Sequence, residues 1–338
     1  MRRWFPEGRS GKPHYAEAIQ AGRSFAPGAE RALVDLVRDD KQPAIVRGTA
    51  VSLLASYLSP DSIPIVQKAA SDREPLVRLG AAEVLDALPV KERVRVGVSL
   101  LWDPVRAVRV EAVSAFAEVP DRALASEQRA AFDRALDDFL LAQRTNAERP
   151  ESHVNLGILY TRRGRPEEAR RAYEAALKLA PWFLPAYVNL ADLLRAQGKD
   201  EEGERLLRRA LQVDPRSAAV HHALGLLLVR RQRTAEALAE LARAAELAPH
   251  DPGFAYAQAI ALHSTGRVEE ALAALRAAQK RMPAARQLLL LLVTIYRDRG
   301  ALREAAEWAR RLLETAPGDP GAQALAAELG VELPPPGR

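Results

Sequence analysis

Small and apolar residues recur through the second half of the chain at a fixed interval of 34 positions. Ala169, Gly203, Ala237, Ala271 and Ala305 share one phase. Ala176, Ala210, Ala244 and Ala278 share another, which Leu312 ends. Polar, charge-rich stretches such as Glu167-Glu168-Ala169-Arg170-Arg171 surround them. The punctuation keeps the same interval: Pro181, Pro215, Pro249, Pro283 and Pro317 end the units, and Gly164, Gly198, Gln232, Gly266 and Gly300 fall at their middles. Proline cannot continue a helix, so each unit reads as helix–turn–helix closed by a proline. The small positions mark where the two helices of a unit come close. Such a unit cannot bury its apolar face alone and must stack on its neighbours. The units run 150–183, 184–217, 218–251, 252–285 and 286–319, followed by a cap helix over 320–330 and a disordered tail over 334–338.

A second, weaker period of 31 residues occupies residues 28–145. It aligns Pro43-Ala44-Ile45-Val46-Arg47 with Glu74-Pro75-Leu76-Val77-Arg78 and Val105-Arg106-Ala107-Val108-Arg109, with Ala50, Ala81 and Ala112 following in phase. Asp72 and Asp103 stand where N-caps are expected, and Pro75 and Pro104 where a first helical turn tolerates proline. Arg47, Arg78 and Arg109 then form the rungs of an Asp–Arg ladder between stacked helix pairs. Ala130, Phe132, Leu136, Phe139 and Leu140 give a helical apolar stripe, predicting a linking helix from Ser126 to Arg144 and a hinge over Asn146–Pro150. Residues 1–27 form an irregular arm broken by Pro6, Gly8, Gly11 and Pro13, with a short helix over Tyr15–Arg23.

The 34-residue pattern resembles the tetratricopeptide repeat, and the 31-residue pattern resembles HEAT repeats. Together they imply an all-α fold, a right-handed α-α superhelical solenoid of HEAT-like repeats followed by five tetratricopeptide repeats. The resemblance implies a groove lined by the first helix of each unit and suited to a protein partner. Its floor and walls are expected at Val154, Asn155, Ile158, Arg162, Val188, Asn189, Asp192, Arg195, His222, Leu226, Arg230, Tyr256, Ile260, His263, Leu290, Thr294 and Arg297. Asn155 and Asn189 stand where family members bond a bound peptide's backbone. Val154 and Ile158 replace the polar residues of a carboxylate clamp. An apolar floor with arginine walls suits a mixed apolar and acidic segment.

Composition narrows the chemistry. The 338 residues carry a net charge of +5, but 49 Lys and Arg are interleaved with 44 Asp and Glu, and only 5% of residues are aromatic. That mixture describes solvated helix faces and argues against a nucleic-acid partner. The absence of cysteine excludes disulfides, thiolate metal sites and covalently attached haem within these residues. Adjacent His221 and His222 point to different helix faces and cannot chelate together, and His222 and His263 come from neighbouring units. No metal site, catalytic motif or resident cofactor is expected. No stretch is apolar for long enough to span a membrane, and Met1-Arg2-Arg3-Trp4-Phe5-Pro6 lacks the apolar run of a signal peptide, so the chain as written is expected in the cytoplasm.

The whole chain also resembles the C-terminal half of bacterial multihaem c-type cytochromes that end in HEAT and tetratricopeptide repeats. The likeness is carried by Trp4-Phe5, Gly11-Lys12-Pro13-His14-Tyr15-Ala16-Glu17-Ala18, Ala21-Gly22-Arg23, Pro27-Gly28-Ala29, Ala186-Tyr187-Val188-Asn189-Leu190 and His221-His222-Ala223-Leu224-Gly225. Those relatives bear Cys-x-x-Cys-His haem sites upstream, and this chain has none. The resemblance implies an alternative to a free-standing scaffold: the repeat half of a longer, exported electron-transfer protein in the periplasm. There His14 would serve as an axial haem ligand.

Overall fold

The structure is a computed structural model that describes residues 14–332. Residues 1–13 of the expected arm and the expected 334–338 tail lie outside them. Among the described residues there are nineteen α-helices and no strand, arranged as a right-handed α-solenoid.

The first stretch comprises α1 (Tyr15–Arg23), α2 (Ala29–Arg38), α3 (Ala44–Leu53), α4 (Ile63–Ala69), α5 (Pro75–Val84), α6 (Val90–Gly97) and α7 (Arg106–Phe116). The α3, α5 and α7 helices stack on one another. Glycine sets their spacing. A Cβ on Gly80 would collide with the Gly48 carbonyl oxygen, and one on Gly48 with the Leu76 carbonyl. Between them runs the arginine ladder. Arg47 binds Asp72 with both terminal guanidinium nitrogens and donates from Nε to the Val37 carbonyl at 3.1 Å. Arg78 binds Asp103 at 2.5 and 2.9 Å, and Arg109 binds Asp138 at 2.6 and 2.9 Å.

The ladder corrects the expected capping. Glu74 and Val105, not Asp72 and Asp103, hold the N-cap positions of α5 and α7. The two aspartates lie two residues earlier. Each accepts the backbone N–H of that N-cap residue, at 2.9 and 2.8 Å, while its carboxylate holds the preceding arginine. Pro75 is the first residue of α5, but Pro104 precedes α7 and lies outside its first turn.

The linking helix α8 (Ser126–Thr145) buries Ala131, Phe132, Ala135 and Phe139, whereas Ala130 is exposed. The apolar core of this region continues to Leu159 in the next helix, so the two arrays share packing.

Five helix pairs follow: α9 (Pro150–Arg162) with α10 (Pro166–Leu179), α11 (Leu184–Ala196) with α12 (Asp200–Val213), α13 (Ala218–Arg230) with α14 (Thr234–Leu247), α15 (Pro252–Ser264) with α16 (Val268–Arg281), and α17 (Arg286–Asp298) with α18 (Leu302–Thr315). The closing α19 (Pro320–Glu328) starts in the same phase. Ala169, Ala237, Ala271 and Ala305 are fully packed, as are Ala176, Ala210, Ala244 and Ala278. Gly164, Gly198, Gly266 and Gly300 make the turn within a pair at φ of 64°, 74°, 79° and 72°. Gln232 makes the third pair's turn at φ 59°, a left-handed conformation in which its Cβ is crowded. Gln232→Gly is therefore expected to stabilise the protein by roughly 0.5–1 kcal/mol, strain relief exceeding the added backbone entropy. The shift of the denaturant midpoint checks it.

The described ends of the solenoid touch. Arg286, the first residue of α17, donates to the carbonyls of Tyr57 and Leu58 at 2.9 Å each and forms an ion pair with Glu30 of α2. The Ala284 N–H donates to the Phe25 carbonyl at 2.8 Å. Phe25 packs against both the first core and that of the last two helix pairs. Its ring lies 5.6 Å from that of Tyr57. Burial pushes the Tyr57 hydroxyl up to about 12, so it stays a donor, and it binds the Gly22 carbonyl at 2.6 Å.

Candidate functional site

The first helices of the five pairs, α9, α11, α13, α15 and α17, touch one another in succession. Residues 34 apart on them therefore form rows. One row reads Val154, Val188, His222, Tyr256 and Leu290; the next, one helical turn on, reads Ile158, Asp192, Leu226, Ile260 and Thr294. A third reads Thr161, Arg195, Val229, His263 and Arg297.

The rows change character along the array. Val154 is buried at 6% exposure, so it belongs to the core rather than to an open surface. Ile158, Val188 and Leu226 are half-buried. Tyr256, Ile260 and Leu290 are exposed at 39%, 38% and 48%. Val229, which the sequence reading passed over for its neighbour Arg230, is 44% exposed in phase with Arg195 and His263. Counting the period strictly would have found it. These four side chains form an apolar ledge on α13, α15 and α17.

The polar residues are largely engaged. Asn155 donates to the Gln143 side chain at 3.2 Å, and Asn189 to the Pro185 carbonyl of its own helix at 2.7 Å. Each side-chain NH2 thus spends one of its two hydrogens within the protein. Arg162 binds Asp86 at 2.8 and 2.9 Å and the Ser114 carbonyl at 2.7 Å, tying α9 to the HEAT-like stack. Asp192 pairs with Arg195 at 3.2 Å and Arg230 with Asp200 at 2.9 Å. Thr294 donates to the Leu290 carbonyl, and Arg297 lies 3.5 and 3.7 Å from Asp298 and Glu328.

His222 and Glu111 both feel their surroundings. Burial pulls the His222 pKa down, against the opposing charges of Asp192 and Asp251, so the ring is neutral near pH 7. It lies 5.0 Å from the Phe254 ring. Glu111 on α7 keeps solvent contact, yet loss of hydration first, then repulsion from Glu83 and Asp86, raises its pKa. His263 is half-buried. Among the described residues no three His, Asp or Glu side chains converge as metal ligands, and no helix is long and apolar enough to cross a membrane.

His14 caps α1. Its Nδ1 accepts the Ala16 N–H at 3.2 Å, and its backbone N–H donates to the Glu17 carboxylate at 3.3 Å. With Nδ1 accepting, the neutral ring carries its proton on Nε2. Iron ligation through Nε2 would require the other tautomer and loss of this cap.

Tetratricopeptide repeat models match residues 160–227 and, in a second form, 121–181 and 256–320. A HEAT repeats model matches residues 30–117. The class is thus an α-solenoid repeat protein. The chain is a tetratricopeptide repeat protein with HEAT repeats on its N-terminal side. Among curated proteins no sequence matches it. Similar solved structures include MamA from Desulfovibrio magneticus RS-1, at 19% identity over 49% of this chain and 94% of that one, with a TM-score of 0.41. YrrB, described as a tetratricopeptide protein with an unusual peptide-binding site, is 21% identical over 56% of this chain and 95% of its own, with a TM-score of 0.40. PilF of Pseudomonas aeruginosa is 20% identical over 66% and 99%, with a TM-score of 0.43. At these scores the assignment rests on the repeat models and the helix spacing.

Proposed function

We propose that the protein is a non-catalytic scaffold that holds a segment of a protein partner along the inner helices of its tetratricopeptide array. The ledge of Val229, Tyr256, Ile260 and Leu290 carries this reading. Exposed apolar side chains on successive packed helices leave area to be buried by something else. The partner segment would place apolar residues on the ledge. Its polar groups would meet His222, His263 and the Asp192–Arg195 pair. A neutral His222 can donate from one ring nitrogen and accept at the other.

A random peptide library displayed on phage tests the reading. Peptides selected on the native protein are expected to bind Ile260→Asp and Leu290→Asp variants at least about tenfold more weakly, the size of one hot-spot contact. Selected peptides that bind both variants as tightly as the native protein would place the site elsewhere.

A further inference from the structure

The contact between the N-terminal helices and the fifth tetratricopeptide unit changes what kind of groove this is. An array of five units is ordinarily open at both ends. Here the path from α2 through the HEAT repeats and all five units returns to α2. The inner helices thus belong to a chain whose two described ends are tied together.

The contact has the build of a joint that opens. Apart from the packing of Phe25, its links are polar: one ion pair, two hydrogen bonds to carbonyls and one backbone hydrogen bond. Interfaces of that character between parts of one chain are commonly mobile. Phe25, at φ of 51°, is the left-handed residue that ends α1, where the Ala26 N–H closes back on the Ala21 carbonyl at 3.0 Å, and this turn leaves the Phe25 carbonyl free to accept from Ala284. The Arg286 Nε atom is buried without a hydrogen-bond partner. A cleft of about 760 Å³ remains beside the joint, lined by Glu30, Tyr57, Asp61, Ala284, Thr315 and Pro317 among others. An interface built for permanence would fill such space and satisfy such a donor.

We infer that the Arg286–Glu30–Phe25 contact is a reversible clasp, which closes the solenoid around its groove so that a partner enters by threading a chain end or by clasp opening. The inference rests on the scaffold reading for its purpose. Its test involves no partner and so fails or succeeds separately.

Native-state hydrogen exchange of residues 282–285 reads the clasp directly, because the Ala284 amide is one of its links. In the full chain this segment is expected to exchange by a local opening, faster than the buried centre of α17. Arg286→Glu is expected to speed that exchange at least about tenfold, and Arg286→Lys, which keeps a cation and donors for Glu30 and the two carbonyls, to speed it less. Exchange of the segment only through global unfolding would overturn the clasp, as would an unchanged rate in Arg286→Glu. A second variant guards against misfolding. Gly318 lies against the Asp61 carboxylate, and the chain has no cysteine, so Asp61→Cys with Gly318→Cys places one cysteine on each side of the joint. Mild oxidation should cross-link the pair and suppress the local exchange. Failure to cross-link, or exchange unaffected by the cross-link, would also sink the proposal.

Discussion

Gly80→Ala is expected to cost about 3 kcal/mol or more, among the largest losses available to a single added methyl group. The added Cβ would land well inside van der Waals contact with the Gly48 carbonyl oxygen, and that oxygen is backbone, so no rotamer change can move it aside. The α3 and α5 helices would have to separate, loosening Val77, Ala81 and Ala50, all buried without measurable exposure. Chemical denaturation of the full chain should show a lower midpoint. Gly164→Ala makes a useful contrast. There the added Cβ meets nothing within 4 Å, and only the backbone at φ 64° resists, which costs about 1 kcal/mol. Equal losses at the two sites would refute the close-packing argument.

Arg78→Leu is expected to cost about 3–5 kcal/mol at neutral pH, because it strands Asp103, which is 5% exposed, without its ionic partner. The pH dependence identifies the cause. Burial pushes the Asp103 carboxyl up, but hydrogen bonds from Arg78 and Val105 and the charges of Arg78 and Arg109 outweigh it and hold its pKa below the ordinary 3.8. A depressed carboxylate pKa contributes stability that is fully present above the ordinary value and is lost as pH falls through the folded one. The penalty of Arg78→Leu should therefore shrink as acid protonates Asp103 in native protein and variant alike. A penalty that stays constant from pH 7 down to about 3 would mean that lost packing, not the stranded charge, explains it.

The features that repeat could be read from the chain. Pro181 and its successors, the glycine turns and the packed alanines each encode one local requirement five times over, and a requirement repeated in phase stands out from background. Arg47, Arg78 and Arg109 were legible for the same reason. Their partners were only half legible. Asp72 and Asp103 looked like caps because a cap and a ladder rung both call for aspartate near a helix start. The joint at Arg286 was not read, because a contact between residues 256 positions apart has no period. It did leave a trace as a change of residue type at in-phase positions. The first helices of the units begin Pro150, Leu184, Ala218, Pro252 and then Arg286, the one charged residue in the series. The loop position occupied by Trp182, Arg216 and His250 shrinks to Ala284 and Gly318 where the two ends meet. The candidate groove was the least legible part. A residue type says little about whether a helix position is tied to a neighbour, as Arg162 is to Asp86, or open to solvent, as Ile260 is.

Joining the ends also alters how such a molecule comes together. Each unit of an open array touches only the next, so order can spread from any point and fray from either terminus. Here the terminal unit is anchored to the opposite end of the sequence. Glu30 and Arg286 must find each other across nearly the whole chain, a closure that local contacts cannot reward until the units between them have stacked. Their meeting belongs to the last stage of folding. Once made, it ties the fifth unit to the N-terminal helices as well as to its sequence neighbours and turns a row of semi-independent modules into a more cooperative unit.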